Sequence, residues 1–152
     1  MTTIVYDHKN KQIACDSRST INGVIINNDS IKYKKDGDKL WFFCGRKGDT
    51  DTFISHYEPL GAANENMDVS AVFVITYGQW IDGVYMAVKD EYNTYAECMV
   101  DHNYAQGSGE QWALSALDHG MTAKEAVEYA MTRDAYSGGK VHVYDIEKGE
   151  FI

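Results

Sequence analysis

The sequence predicts an α+β fold of antiparallel sheets covered by helices, and three observations predict it. Short β-branched and aromatic runs broken by turn residues fill the first third of the chain. The hydrophobic period lengthens from two residues to about 3.6 near Ser108. An alternating run, KVHVYDI, then closes the sequence.

Taken in order, TTIVYD and KQIACDS flank a polar HKN turn and read as paired strands, and TINGVIIN continues as strand. SIKYK and KLWFFCG flank KDGD, whose Asp-Gly step favours a tight antiparallel hairpin. GDTDTFISHYEPL predicts a short helix, because Asp and Thr offer oxygens to its first unpaired amides and Pro59 limits its far end. VSAVFVITYG and GVYMAVK return to strand character. GEQWALSALDHG places Trp112, Leu114, Ala116 and Leu117 near one helical stripe, with Gly120 as its stop. TAKEAVEYAMTRD opens on a capping box, Thr122 to Glu125, and continues in good helix formers. Sheet layers held between helix layers accommodate this order of strands, short helix, strands, two helices and strand.

A chain of 152 residues can bury a core without disulfide or metal staples. Nothing in it marks an internal boundary: there is no repeat, no low-complexity tract, and Pro59 is the single proline. One domain spanning residues 1–152 is expected. Apolar residues at 44% and charged residues at 24% exclude a disordered or fibrous chain. Fourteen basic residues against 23 acidic ones give a formal charge of -9, which repels phosphates and excludes nucleic acid as a partner. The opening MTTIVYDHKNKQIACD lacks the pattern of a secretion signal, and no apolar run is long enough to span a bilayer. A cytoplasmic protein without a membrane partner is expected. Cys15, Cys44 and Cys98 are odd in number, far apart and without a CxxC pair, which fits neither a disulfide framework nor a zinc site.

Several short motifs remain to carry chemistry. After Met1 the chain begins Thr2-Thr3, and DSRST, SIKYKK, FFCGRKGD, AQGSGEQWAL and RDAYSGG follow in that order. Together they resemble the proteasome β-subunit family of N-terminal-nucleophile threonine peptidases, which includes the subunit of the bacterial two-ring ATP-dependent peptidase. The resemblance covers most of the chain. It implies a four-layer αββα sandwich of two antiparallel sheets, the N-terminal-nucleophile hydrolase fold. It also implies a truncated outer helix layer, since only GAANENM separates HYEPL from DVSAVFV where the family carries a longer first helix and a second one. The hairpin after Thr2 is two residues shorter than the family's, and one residue is missing between Lys32 and Gly45.

The resemblance assigns the nucleophile to Thr2, and the chemistry explains the position. A threonine hydroxyl is a weak nucleophile until a base takes its proton. A free α-amine, titrating at about 7.7–8.0, can do so, whereas a peptide nitrogen has no usable basicity. Met1 has therefore to be removed. Asp16 takes the family's buried acid, with Ser17 and Arg18 as companions, and Lys32 its essential lysine; Lys34 and Lys35 stand close enough to replace Lys32 by a shift of register. A lysine beside Thr2 favours a deprotonated oxygen, and Asp16 compensates that lysine. Gly45 takes the oxyanion glycine, whose bare backbone N–H can approach a developing charge and contribute about 2.7–4 kcal/mol. Ser108 takes the supporting serine, and Asp134 and Ser137 the pair that orders amine and hydroxyl.

Carried over in the same way, Thr20, Ser30, Lys34, Phe43 and Lys47 bind substrate, Thr20 contacts its backbone, and the two lysines favour an acidic side chain before the cleaved bond. The implied partners are a polypeptide substrate, a homo-oligomeric ring and an ATPase unfoldase. No cofactor is required, although backbone carbonyls of Met131, Asp134 and Ser137 hold a structural sodium or magnesium ion in some relatives. The expected activity is that of a threonine-type endopeptidase. Its rivals are a catalytically silent assembly subunit that keeps Met1 and a small-molecule N-terminal-nucleophile amidase. Cys15 and Cys44 read as core residues, a Cys/His nucleophile pair has no supporting spacing, and His8, His56, His102, His119 and His142 show no ligand spacing. Trp112 and Tyr129 read as core or interface.

Overall fold

The computed structural model describes residues 2–55, 57, 68–75, 83–89 and 96–152, and over these the chain is α+β, as predicted. The first strands are β1 (Thr3–Asp7), β2 (Gln12–Cys15), β3 (Ser19–Ile21), β4 (Val24–Asn27), β5 (Tyr33–Asp36) and β6 (Lys39–Gly45). Helix α1 (Lys47–Ser55) leads to β7 (Val69–Ile75), β8 (Val84–Lys89), β9 (Ala96–Met99) and β10 (Tyr104–Gly107). Two helices, α2 (Glu110–Asp118) and α3 (Ala123–Met131), precede β11 (His142–Asp145) and β12 (Glu150–Phe151). These elements form two compact units, Met1–Lys32 with Asp101–Ile152, and Tyr33–Val100.

In the first unit a five-stranded antiparallel sheet runs in the order β10-β1-β2-β11-β12. Its register lines up Ala105, Val5, Ala14 and Val143 in one row across four strands. Because strand side chains alternate between faces, that row lies on a single face. There it packs with Ala113, Ala116 and Leu117 of α2 and Ala123, Ala126, Val127 and Ala130 of α3. Alanine at seven of these eleven positions, counting the strands, leaves little side-chain bulk to hold the helices away from the strands. The second unit is a five-stranded antiparallel sheet, β5-β6-β7-β8-β9, with α1 beside it. Its core joins Trp41, Phe53, Ile54, Val69, Ala71, Phe73 and Ala87, with the Trp41 and Phe73 ring centroids 4.3 Å apart.

Several local expectations change. TINGVIIN is a hairpin and not one strand: Asn22 (φ 49) and Gly23 (φ 78) both take left-handed backbone and turn β3 back onto β4. Two consecutive positive φ angles are the requirement of the tightest hairpin turn, which Asn-Gly meets at little steric cost. The hairpin leaves Ile21, Val24, Ile25 and Ile26 exposed. KDGD does form the tight turn between β5 and β6, with Gly37 at φ 61. Helix α1 begins at Lys47, ahead of the Asp and Thr residues expected to cap it, and Thr50 donates its hydroxyl to the Lys47 carbonyl from within the first turn. The expected stop at Pro59 and the shortened segment GAANENM lie outside the described residues.

In α2 the buried stripe is Ala113, Ala116 and Leu117, while Trp112 and Leu114 are only partly covered. The i, i+3, i+4 spacing from Ala113 sets that stripe, and the larger Trp112 and Leu114 flank it. Gly120 ends the helix as predicted. At φ 96 it directs its own N–H to Leu117 and the Met121 N–H to Ala116, which satisfies two of the last helical carbonyls. Strands β9, β10 and β12 were not foreseen, because four residues such as YAQG carry no legible alternation.

Thr122 caps α3 as predicted, but the reciprocal half of the box differs, because the Glu125 carboxylate takes the Thr122 hydroxyl in place of its N–H. Thr122 accepts the Glu125 N–H at 3.3 Å and donates its hydroxyl to the Glu125 carboxylate at 3.1 Å. Replacing Thr122 with alanine is expected to cost about 1 kcal/mol of stability, measured as a shifted urea midpoint at unchanged slope.

Candidate active site

One step beyond the last β1–β2 register pair, the Asp16 N–H donates to the Thr3 carbonyl at 3.2 Å, which sets the Asp16 side chain beside the start of β1. The carboxylate is fully buried and collects four donors. Its Oδ1 accepts the Thr3 N–H at 3.0 Å and the Lys32 ammonium at 2.9 Å. Its Oδ2 accepts the N–H of Arg18 at 3.2 Å and of Gly138 at 2.9 Å. A buried charge is tolerated when it is paired and its remaining lone pairs are bonded, and Asp16 meets both conditions. Lys32, the only one of the three neighbouring lysines that is buried, is thereby the partner of Asp16, as expected; Lys34 and Lys35 are exposed on β5.

A second carboxylate organises the other side of residues 2 and 3. Where α3 ends, Asp134 receives the Tyr136 N–H on Oδ1 and the hydroxyls of Ser108 (2.5 Å) and Ser137 (2.7 Å) on Oδ2. Ser137 Oγ lies 2.7 Å from Thr3 Oγ1, and Ser108 Oγ lies 3.4 Å from the Thr2 carbonyl oxygen. Ser137 has one hydroxyl proton and spends it on the carboxylate, so Thr3 is the donor in the Thr3–Ser137 pair. Thr2 is buried and its neighbour Thr3 fully so.

The GSG run fits this geometry on both sides of Ser108. A Cβ at Gly107 (φ 101) would fall on the Thr2 carbonyl oxygen, and one at Gly109 on the Thr3 hydroxyl. DSRST and RDAYSGG are laced together directly. Ser17 N–H donates to the Gly138 carbonyl at 3.0 Å, and the Ser17 hydroxyl reaches the Lys140 carbonyl at 2.6 Å. The Arg18 guanidinium donates to the Asn28 side chain and the Ala135 carbonyl. Thr2, Asp16, Lys32, Ser108, Asp134 and Ser137 thus all belong to the first unit, within one bonded cluster.

Of the substrate-binding candidates, Thr20 is half-buried on β3, and Ser30 pairs hydroxyls with Ser19 at 2.5 Å. Gly45, Lys34, Phe43 and Lys47 belong to the second unit. Gly45 ends β6 at φ 121, where a Cβ would collide with the Asp68 carbonyl; Phe43 packs against the Trp41 cluster; Lys34 and Lys47 are exposed. At the candidate cation position the Asp134 carbonyl accepts the Ser137 N–H at 3.2 Å and keeps its second lone pair. The carbonyls of Met131, at the end of α3, and of Asp134 and Ser137, in the segment after it, are hard oxygen donors of the kind sodium or magnesium takes. Among the described residues no cluster of three or more His, Cys, Asp or Glu side chains could hold a metal, and no helix is long and apolar enough to cross a membrane.

Residue reading alone underrated Thr3 and the two glycines around Ser108. Their signals were present, in the doubled threonine and in a serine bracketed by glycines. Cys15 and His142, opposite one another on β2 and β11, do not make a nucleophile pair. Burial first, then the neighbouring Asp16, pushes the Cys15 thiol up to about 12 against the opposing pull of Lys32. Burial and then Lys140 hold His142 below its ordinary value, with Asp29 and Asp16 opposing.

No protein-family model and no curated protein matches the sequence. Solved structures do share its fold. HslV from Trypanosoma brucei aligns over 93% of this chain and 97% of its own with a TM-score of 0.70 at 16% identity. BPH from Thiobacillus denitrificans, solved in complex with epoxomicin, aligns over 94% of this chain and 96% of its own with a TM-score of 0.66 at 18% identity. The chain therefore has the N-terminal-nucleophile hydrolase fold of HslV.

Replacing Asp16 with asparagine leaves buried Lys32 without its carboxylate and turns an amide toward three peptide donors. A loss on the order of 3–5 kcal/mol is expected by urea denaturation. In native protein at pH 8, iodoacetamide is expected to alkylate exposed Cys98 and to spare Cys15. Peptide mapping would show equal labelling of both only if the β2 environment were otherwise.

Proposed function

We propose that this chain is a threonine-type endopeptidase that hydrolyses peptide bonds through an acyl-enzyme on Thr2. The observation that carries the proposal is the bonded cluster around residues 2 and 3, with the Asp16–Lys32 pair on one side and Ser108, Asp134 and Ser137 on the other. The shared fold with HslV, and the binding of epoxomicin by BPH, support the same reading.

With Met1 removed, the α-amine of Thr2 takes the proton of its own hydroxyl as the oxygen attacks the carbonyl carbon of the substrate. The protonated amine passes that proton to the leaving nitrogen, the peptide C–N bond breaks, and an ester to Thr2 remains. Water gives a proton to the same amine, attacks the ester carbon and releases the acid, restoring the hydroxyl. Lys32, held by Asp16, supplies fixed positive charge near the attacking oxygen, and the Gly45 N–H stabilises the oxyanion. Met1 itself lies outside the described residues. Backbone carbonyls of Met131, Asp134 and Ser137 would hold a sodium or magnesium ion that steadies the end of α3, and no chemical step depends on it.

The proposal extends to a cytoplasmic homo-oligomeric ring acting on polypeptides, fed by an ATPase unfoldase, with Thr20, Ser30, Lys34, Phe43 and Lys47 receiving the side chain before the cleaved bond. Replacing Thr2 with alanine is expected to lower peptide turnover by on the order of 10⁴-fold. A peptidyl epoxyketone, which bonds both amine and hydroxyl of a terminal threonine, should add once to a chain that intact mass shows to lack Met1. Normal cleavage by a chain that still carries Met1 would overturn the mechanism. The role proposed for Lys34 and Lys47 predicts a preference for Asp or Glu before the cleaved bond in a peptide library, and a preference for basic residues there would remove that assignment.

A further inference from the structure

We infer that Thr3 is a positioning residue for the reaction at Thr2, acting through a directional chain of hydroxyls that ends on Asp134; the inference rests on the endopeptidase reading above. All three hydrogen-bonding groups of Thr3 other than its hydroxyl's second lone pair are committed to the two carboxylate centres. Its N–H donates to Asp16, its carbonyl accepts the Asp16 N–H, and its hydroxyl donates to Ser137. Ser137 in turn donates to Asp134, so the direction of every proton from residue 3 to that carboxylate is set.

Strand alternation gives this anchorage its meaning. Thr3 shares the parity of Val5, whose side chain packs with α2 and α3, so its hydroxyl points to the helix face, where it occupies the space a Gly109 Cβ would need. Thr3 gains no free α-amine when Met1 is removed, and its hydroxyl proton is committed to Ser137, so it is not the attacking group. Its hydroxyl instead resists any roll of β1 about its own axis, and such a roll would swing the adjoining Thr2 through an arc. The backbone bonds to Asp16 fix the height of the strand; the side-chain bond to Ser137 fixes its rotation. Removing the hydroxyl releases rotation while leaving the backbone anchors and the Asp16–Lys32 pair untouched.

The test compares four variants with the parent chain: Thr3→Val, Thr3→Ser, Thr3→Ala and Thr2→Ala. Valine keeps the shape of threonine and loses the hydroxyl, while serine and alanine differ from each other only by that hydroxyl. The expected result for Thr3→Val is a fall in kcat on the order of 100-fold with KM unchanged, the scale of a displacement of about 1 Å at the reacting centre. Adduct formation with the peptidyl epoxyketone, followed by intact mass, should slow in the same proportion. Thr3→Ser should retain most of the parent rate, and Thr3→Ala should be as slow as Thr3→Val. Parent-like kcat in Thr3→Val, or equal rates for Thr3→Ser and Thr3→Ala at equal melting temperature, would overturn the role of the hydroxyl; the serine–alanine comparison decides the matter if the valine variant does not fold. A parent chain that neither turns over peptide nor forms the adduct overturns the endopeptidase reading, and this inference with it. An active parent with an inactive Thr2→Ala and indifferent Thr3 variants overturns this inference alone.

Discussion

The Asp16 carboxylate takes four hydrogen bonds from four separate points of the chain, at residues 3, 18, 32 and 138, while fully shielded from water. An isolated ion in such a place would be costly by many kcal/mol, so the surrounding chain is constrained to deliver donors to it. That constraint sets the start of β1, the bend after β2, the course of the segment that brings in Lys32, and the loop after α3. The proposed chemistry needs a positive charge held close to a nucleophile. The fold supplies one by making the lysine answer the electrostatic demand of a buried acid.

Asp134 plays a parallel part with a different partner set. It collects two serine hydroxyls and a peptide N–H, and through Ser137 it reaches Thr3. The two acids thus grip the same short stretch of β1 from opposite directions, one through its backbone and one through a side chain. Hydrogen bonds to ionised acceptors are shorter and stronger than neutral ones. The bond from the Thr3 N–H to Asp16 is of that kind, and with the hydroxyl relay through Ser137 it adds to the hold of the β1–β10 and β1–β2 ladders on this strand end. The small residues facing this strand, Gly107 and Gly109, follow from that grip, because the space a side chain would use is filled by Thr2 and Thr3 atoms.

The α+β class, the Thr122 N-cap of α3 and the Gly120 helix end were legible because each rests on a local rule with a sharp residue signature. The pairing of Asp16 with Lys32 was also legible, although sixteen residues separate them, because a family pattern supplied what local rules do not. The Asn22–Gly23 turn was legible in principle and was masked by the β-branched run on either side of it. Strands β9 and β10 were not legible: they are four residues long, β9 is held by pairing with β8, and β10 by pairing with β1, a contact remote in sequence. The role of Thr3 was hidden for the same reason. Its partner Ser137 lies 134 residues away, and nothing in either residue type announces the other.

The same side chains that would serve the reaction also keep the first unit folded, and this separates two kinds of inheritance. A descendant that lost its chemistry through a change at Thr2 would still be held to Asp16, Lys32, Ser108, Asp134 and Ser137, since discarding any one strands the others in an apolar interior. Silent copies of such a gene would therefore go on displaying nearly the whole signature. Within this bonded cluster, and on the proposed chemistry, the hydroxyl at the second position is the group that turnover, and not folding, would maintain.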